Sequence, residues 1–470
     1  MLMTSAQMTP AEANPPARSL RRSAGDFDFQ ALRDREFARL DAQRHAYLDY
    51  TGSALYGVSQ LRAHLALLES GLFGNPHSQS HTSAASTAIV EQARTAVMDF
   101  LDVDARSHVV CFTGNCSAAI KLVAESYPFD AQRGLLLTTD NHNSINGVRE
   151  YARAAGAAVR VIGLDAELRL HDPEAGLREA ATAGGGLFAF PAQSNFSGVR
   201  HPLKLADKAH ELGLDVLLDI AAYASSEAIS LRRVPADFAV LSFYKLFGYP
   251  TGLGALILRK EALAKLRRPW FAGGTVRYAS VHTNQHRLHD GAEGFEDGTP
   301  DFLGLAALPA GFALLAEAGM DRLSARLRDL TGDLLQRMRR LCHKNGSPLL
   351  HLYGPPDLRE RGATVSFNVL DGCGDPADYT RIEASAADAG ISLRGGCFCN
   401  PGAAEAAFGL AAERLAECLQ SVGDDFTPRR LADCAGTAVG AIRVSLGLAS
   451  NRTDLDRLIQ WLESLAAGTA

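Results

Sequence analysis

The sequence predicts an α/β fold: a mostly parallel sheet covered by helices on both faces, joined to a smaller α+β unit near the C-terminal end. Two observations carry this. Between about residues 105 and 258, short near-continuous apolar runs alternate with helix-like stretches, the pattern of strands buried on both faces. After about residue 300 the texture changes to a long charged and apolar helical pattern over 320–343. In the first part, strands are expected at 109–112, 135–138, 159–162, 187–190, 216–219, 238–243 and 253–258. Helices are expected at 117–126, around 148–155, and near 173–183 and 203–212. In the second part, strands near 365–370, 391–394 and 441–446 combine with helices near 377–389 and 453–466. The expected division is an N-terminal extension 1–45, a large domain 46–319 and a small domain 320–470.

Composition narrows the class of protein. Of 470 residues 47% are apolar and 21% charged, the balance of a soluble globular chain with an ample core. A net charge of −6 gives no footprint for nucleic acid or an anionic membrane. No run of eighteen apolar residues predicts a transmembrane span. Eight cysteines without paired CxxC spacing read as reduced thiols in a cytoplasmic compartment. The first 25 residues, rich in Ala, Pro and Ser, lack the apolar centre of a secretory signal and read as a disordered tail.

Ligands bind at the carboxyl ends of strands in open α/β sheets, and five such ends carry unusual polar residues. Lys245 lies just past the run 238–243, one of seven lysines against forty arginines. A desolvated amine there can form a Schiff base; a snorkelling surface lysine is the plain alternative. Thr113-Gly-Asn-Cys116-Ser117 feeds a helix N-terminus and offers backbone N–H groups to a phosphate, or simply an N-cap. His142 follows the strand at 135–138 and could stack on an aromatic ring or stand as a surface residue. Asn195, in Gln193-Ser-Asn-Phe-Ser-Gly198, could donate to a phenolate or satisfy its own turn. Asp219 ends an apolar strand, where a carboxylate needs a partner such as a protonated pyridine nitrogen or the backbone. Together these five describe a pyridoxal 5′-phosphate site.

The order of these residues resembles the class V aminotransferase and cysteine desulfurase superfamily, of fold type I. Arg394-Gly-Gly-Cys397-Phe-Cys399-Asn-Pro-Gly402 sharpens this toward the N-terminal domain of molybdenum cofactor sulfurases. So do Tyr47-Leu-Asp-Tyr50, Gly74-Asn-Pro-His-Ser78, Phe243-Tyr-Lys-Leu-Phe-Gly248 and Phe295-Glu-Asp-Gly-Thr299. The resemblance runs from about residue 46 to 450. It implies Lys245 as the cofactor-anchoring lysine, Asp219 as the pyridine partner, His142 as the stacking ring and Asn195 as the residue facing the ring hydroxyl. It places Cys116, Ser117 and Ser242 at the phosphate, Arg443 at a substrate carboxylate and Cys399 as the nucleophile, with Cys397 two residues earlier. It also implies a homodimer in which Gly273-Gly-Thr275 of one subunit reaches the cofactor phosphate of the other. Tyr244 and Ala222 depart from many bacterial desulfurases and agree with the sulfurase-like branch.

The activity implied is removal of sulfur from L-cysteine. Lys245 would act as base at Cα, and Cys399 would take the sulfur as a persulfide, leaving L-alanine. Arg394 is the sequence-local cation to activate the thiol. A sulfur acceptor, protein or small molecule, would follow. The alternatives are an aminotransferase, epimerase or C–S lyase on another amino acid, with Cys399 incidental, and a non-enzymatic binding or scaffold protein derived from the fold. The two cysteines could also merely pack their loop. One intervening residue and no nearby histidine make a poor metal site.

Overall fold

The computed structural model describes residues 27–467. The tail expected over the first 25 residues lies outside them. A short strand β1 (Ala46–Tyr47) precedes the large sheet. That sheet is built from β2 (His108–Thr113), β3 (Gly134–Thr138), β4 (Val159–Ile162), β5 (Gly186–Pro191), β6 (Leu214–Asp219), β7 (Phe238–Ser242) and β8 (Gly254–Arg259). Their spatial order is β2-β8-β7-β6-β5-β3-β4.

Strands β3 to β7 are parallel, with Pro191 opposite Asp219 and Asp219 opposite Val240. Only β8 reverses, antiparallel to both β7 and β2. The cause is the connection: a parallel return needs a crossover of a dozen or more residues, and 243–253 holds only a five-residue helix, Phe243–Phe247. That helix carries Lys245. The short link therefore sets both the strand direction and the place of the lysine.

Side chains alternate across the sheet and divide the interior in two. Phe188, Phe190, Val216, Leu218, Ala239 and Leu241 belong to one apolar core. Leu187, Ala189, Leu217, Phe238 and Val240 belong to the other. Every residue of β5 and β7 is buried, which is why these strands read as unbroken apolar runs.

Beyond the sheet, β9 (Val276–Ala279) and β10 (His286–Leu288) form an antiparallel hairpin. A second sheet contains β11 (Leu350–Tyr353), β12 (Thr364–Val369), β14 (Arg394–Gly396) and β15 (Ala441–Ser445), in the order β11-β12-β15-β14 and antiparallel throughout. Strand β13 (Ile391–Ser392) pairs in parallel with β1, and Asp49 bridges to Ser445. Residues 46–49 thus join elements more than 340 residues away in sequence.

The reading of eight reduced thiols fails for two of them. Cys418 and Cys434 form a disulfide with Cα atoms 5.7 Å apart. The bridge ties the helix Ala412–Val422 to Pro428–Ala435, where Cys418 and Leu431 are the only buried side chains. With so little core, the covalent link holds the pair together. Among the described residues no single helix is long and apolar enough to cross a membrane, although Phe302–Ala318 and Met320–Met338 pass that test as a pair bent by 65°.

Candidate active site

A cavity of about 340 Å³ opens at the carboxyl ends of the parallel strands. Its walls bring together Cys116, Ser117, His142, Asn195, Asp219, Ser242 and Lys245, with Asn115, Ser144, Gln193 and Tyr244. Each comes from a different strand end or the loop after it, so the parallel sheet itself gathers residues spread over 130 positions.

The floor is the N-terminus of the helix Cys116–Ser126. Asn115 caps it, Oδ1 accepting the Ala118 N–H at 2.9 Å. The capping and phosphate readings are therefore compatible: the cap fixes the loop, and the first-turn N–H groups and helix dipole favour an anion. Ser117 Oγ lies 2.6 Å from Ser144 Oγ, tying this loop to the one that carries His142. Gly254 makes the approach geometrically feasible. A β-carbon there would stand 2.5 Å from the Asn115 carbonyl carbon and 2.6 Å from the Cys116 nitrogen.

His142 caps a short helix, its Nδ1 accepting the Ser144 N–H at 3.1 Å. The ring proton of the neutral form therefore sits on Nε2. Burial holds its pKa below the ordinary 6.5, with Lys245 acting the same way and Asp219 opposing. A neutral ring suited to stacking is the result.

Asp219 closes β6 with Oδ1 accepting the Ala221 N–H at 2.9 Å, and its side chain is otherwise free to meet a cation in the cavity. Among the described residues Lys245 makes no hydrogen bond or ion pair, yet its charge acts on His142 and Cys116. An unpaired, half-buried amine facing a cavity fits a carbonyl partner. Gly248 ends the lysine helix at φ +79°, where a β-carbon would fall 2.3 Å from the Tyr56 nitrogen. The Cys116 thiol is pushed up by burial and then by Asp219, so it stays protonated beside Ser242.

The cysteine loop seats against this wall. The Cys399 carbonyl accepts the Asn143 N–H at 2.7 Å, and the Phe398 carbonyl accepts from Asn195 Nδ2 at 2.7 Å. Asn195 thereby has a second task that the sequence did not suggest. Its other N–H has no acceptor among the described residues, which leaves one donor for a ring oxygen. Phe398 and Cys399 both have positive φ, +58° and +56°. Each costs about 1–2 kcal/mol for a residue with a β-carbon. Cys399 is exposed and Cys397 half-buried, and neither lines the cavity. The two thiols have different neighbours. Cys399 is an electrostatic partner of Arg443, whereas Cys397 acts on Tyr379.

Arg443 is buried, with Nη1 donating to the Asn195 carbonyl and Nη2 to Asp49 Oδ1, both at 2.9 Å. It stacks on Phe398, 4.6 Å from the ring centroid, and its Nε has no partner. Burial lowers its pKa and Asp49 opposes this. Asp49, within Tyr47-Leu-Asp-Tyr50, went unassigned in the sequence reading. Its other oxygen holds Arg394, at 2.6 Å from Nη2. Arg394 is therefore committed to Asp49, and Arg443 is the cation placed near Cys399.

Thr275 does not join the cavity. Its buried hydroxyl donates to the Ala272 carbonyl and accepts the Ala272 N–H, holding its own turn. Gln193 was also missed as a cavity residue, though its motif was recognised. Its amide reaches the Ala222 carbonyl at 3.1 Å and accepts from Arg200. Among the described residues no group of three or more His, Cys, Asp or Glu side chains could hold a metal ion.

Comparison with known proteins agrees with this geometry. The family model of aminotransferase class-V matches residues 46–458. The chain is 35% identical over 466 residues to the molybdenum cofactor sulfurase of Solanum lycopersicum, covering 92% of this chain and 56% of that protein. It is 33% identical to the molybdenum cofactor sulfurase of Homo sapiens, covering 96% and 52%. The chain thus spans a little over half the length of these curated relatives. Among solved structures, the cysteine desulfurase of Thermococcus onnurineus NA1 superposes with a TM-score of 0.77 at 23% identity, covering 93% of this chain and 98% of that one. The cysteine desulfurase CsdA of Escherichia coli gives 0.73 at 21% identity, covering 94% and 99%.

Proposed function

The chain belongs to the class V aminotransferase family, and from that premise we propose that it removes sulfur from L-cysteine, yielding L-alanine and a persulfide on Cys399. The cofactor of this enzyme is pyridoxal 5′-phosphate. When bound, it supplies an electrophilic carbonyl for the substrate amine and a sink for electrons at Cα. The residues present fit it: an unpaired lysine, a carboxylate at the opposite strand end, a neutral histidine ring and a capped helix N-terminus share one cavity.

In this reading Lys245 Nζ anchors the cofactor and then moves the Cα proton. Asp219 holds the ring nitrogen protonated, and His142 covers one face. Cys116, Ser117 and Ser242 surround the phosphate. Arg443, with its unpartnered Nε, orients the substrate carboxylate. Cys399 Sγ bonds to the substrate sulfur as the substrate Cβ–S bond breaks. The electron pair left on carbon takes a proton and alanine departs. The persulfide then passes its outer sulfur to an acceptor, protein or small molecule.

The observation that carries the proposal is the docking of the cysteine loop onto the cavity wall through Asn195. A homodimer is proposed with it. The exposed Trp270, Phe271, Tyr278 and Val281 flank Gly273-Gly-Thr275, and a partner subunit would cover them. A cytoplasmic location is proposed from composition and has to accommodate the Cys418–Cys434 bridge.

The test is to supply cofactor-loaded protein with L-cysteine and quantify alanine, protein-bound sulfane sulfur and keto acid. Equal yields of alanine and sulfane sulfur, both lost in Cys399→Ser, support desulfuration. A keto acid as the main product would assign amino transfer instead.

A further inference from the structure

Asn400 stands where the cysteine loop, the next helix and the cavity wall meet, and the proposed chemistry gives it no role. Its backbone N–H closes a turn onto the Cys397 carbonyl at 2.9 Å. Its Oδ1 caps the helix Pro401–Phe408 by accepting the Ala403 N–H at 3.1 Å. Its Nδ2 donates to the Asp140 carbonyl at 2.7 Å and to Asn195 Oδ1 at 2.8 Å. The side chain is 0% exposed, so every hydrogen-bonding group of its amide is engaged out of water. Asn195 completes a ring by donating to the Phe398 carbonyl.

This ring matters because the two residues it holds do not stay there by preference. Phe398 and Cys399 lie in the left-handed region, which residues with a β-carbon rarely adopt unless held. The restraints come from across the fold: Asn143 on the Cys399 carbonyl, Asn195 on Phe398, and Asn400 on both Asp140 and Asn195. Asn195 is also the member of the ring that lines the cavity. A ligand that engages its remaining N–H therefore acts on the same amide that positions the loop.

We propose that Asn400 is the positioning residue of the cysteine loop: through its bridge to Asn195 it fixes the place of Cys399 Sγ and couples that place to occupancy of the cavity. The coupling rests on the reading of Asn195 as a cofactor contact; the positioning does not.

Site-resolved alkylation by iodoacetamide, read by peptide mass spectrometry, tests it. The exposed thiols Cys342 and Cys373 serve as internal references and the buried Cys111 reports unfolding. Wild type and Asn400→Ser are compared unloaded and loaded with pyridoxal phosphate; serine retains a helix cap while removing the bridging amide. Cys399 in unloaded N400S should react at least about fivefold faster relative to the references, the size expected for losing one hydrogen bond. Loading should slow Cys399 in wild type and leave it unchanged in N400S. Wild-type rates and a wild-type cofactor effect in N400S would overturn the proposal. If Cys111 becomes reactive, Asn400→Asp, which keeps shape and cap but lacks the donors, takes its place under the same criteria. Absence of any Lys245-dependent cofactor absorbance would count against the functional reading, and the unloaded comparison alone would then decide the positioning.

Discussion

The cofactor wall and the cysteine loop border one cavity but are held in place by opposite means. Lys245, Asp219 and His142 sit at the ends of strands whose side chains are buried on both faces, so the packing of the whole sheet fixes them. Cys399 sits on two residues of positive φ, fixed by a few hydrogen bonds from distant segments. A wall set by packing tolerates the loss of a polar contact. A loop set by polar contacts does not. The two halves of the proposed reaction should therefore separate under mutation.

Lys245→Ala should have the largest effect, at least about a thousandfold loss of turnover. The visible absorbance of the bound cofactor should vanish with it, since one residue serves anchor and proton transfer. Cys399→Ser should abolish bound sulfane sulfur and lower alanine formation by about a hundredfold or more, while the absorbance stays. Loss of absorbance in that variant would show the two halves to be inseparable. Gly254→Ala probes the wall alone. Its β-carbon meets backbone rather than a flexible side chain, so a cost of about 2 kcal/mol is expected, measurable by denaturant unfolding, together with weaker cofactor retention.

The smallest effect concerns pH. Because burial depresses the His142 pKa below 6.5, the unfolded chain binds this proton more readily than the folded one as pH falls. Both forms are neutral above that value, so the histidine costs nothing there. Below it, stability should fall until the folded pKa is passed. His142→Gln should flatten this part of the stability–pH curve, read as Tm between pH 7 and 5. An unchanged slope would mean that other buried histidines, such as His108, carry it.

The same contrast explains what was legible in the sequence. Lys245, Asp219, His142 and the Asn115–Ser117 loop could be found because each follows an apolar strand, and strand ends are visible as breaks in a pattern. Seven of the ten expected site residues line the one cavity for this reason. The Asn195–Asn400 contact joins residues 205 apart, and nothing local announces it. Arg394 was expected to assist the thiol because it is near in sequence; Asp49, 345 residues away, holds it instead. Thr275 was placed by its motif, and its hydroxyl is spent inside its own turn. The antiparallel β8 and the Cys418–Cys434 bridge likewise depend on spatial neighbours that periodicity does not encode.

The pairing of β1 with β13 has a consequence for how this chain is made and cut. The edge partner of Ile391 and Ser392 is synthesised near the beginning of the chain, so that pairing must wait until almost all of it has emerged. Contacts of such long sequence separation slow folding. A fragment starting at residue 320 would lack Ala46 and Tyr47 and leave an unpaired edge open to aggregation. Split-gene expression offers a direct reading: fragment 320–470 should be insoluble alone and recover when 27–319 is supplied in the same cell.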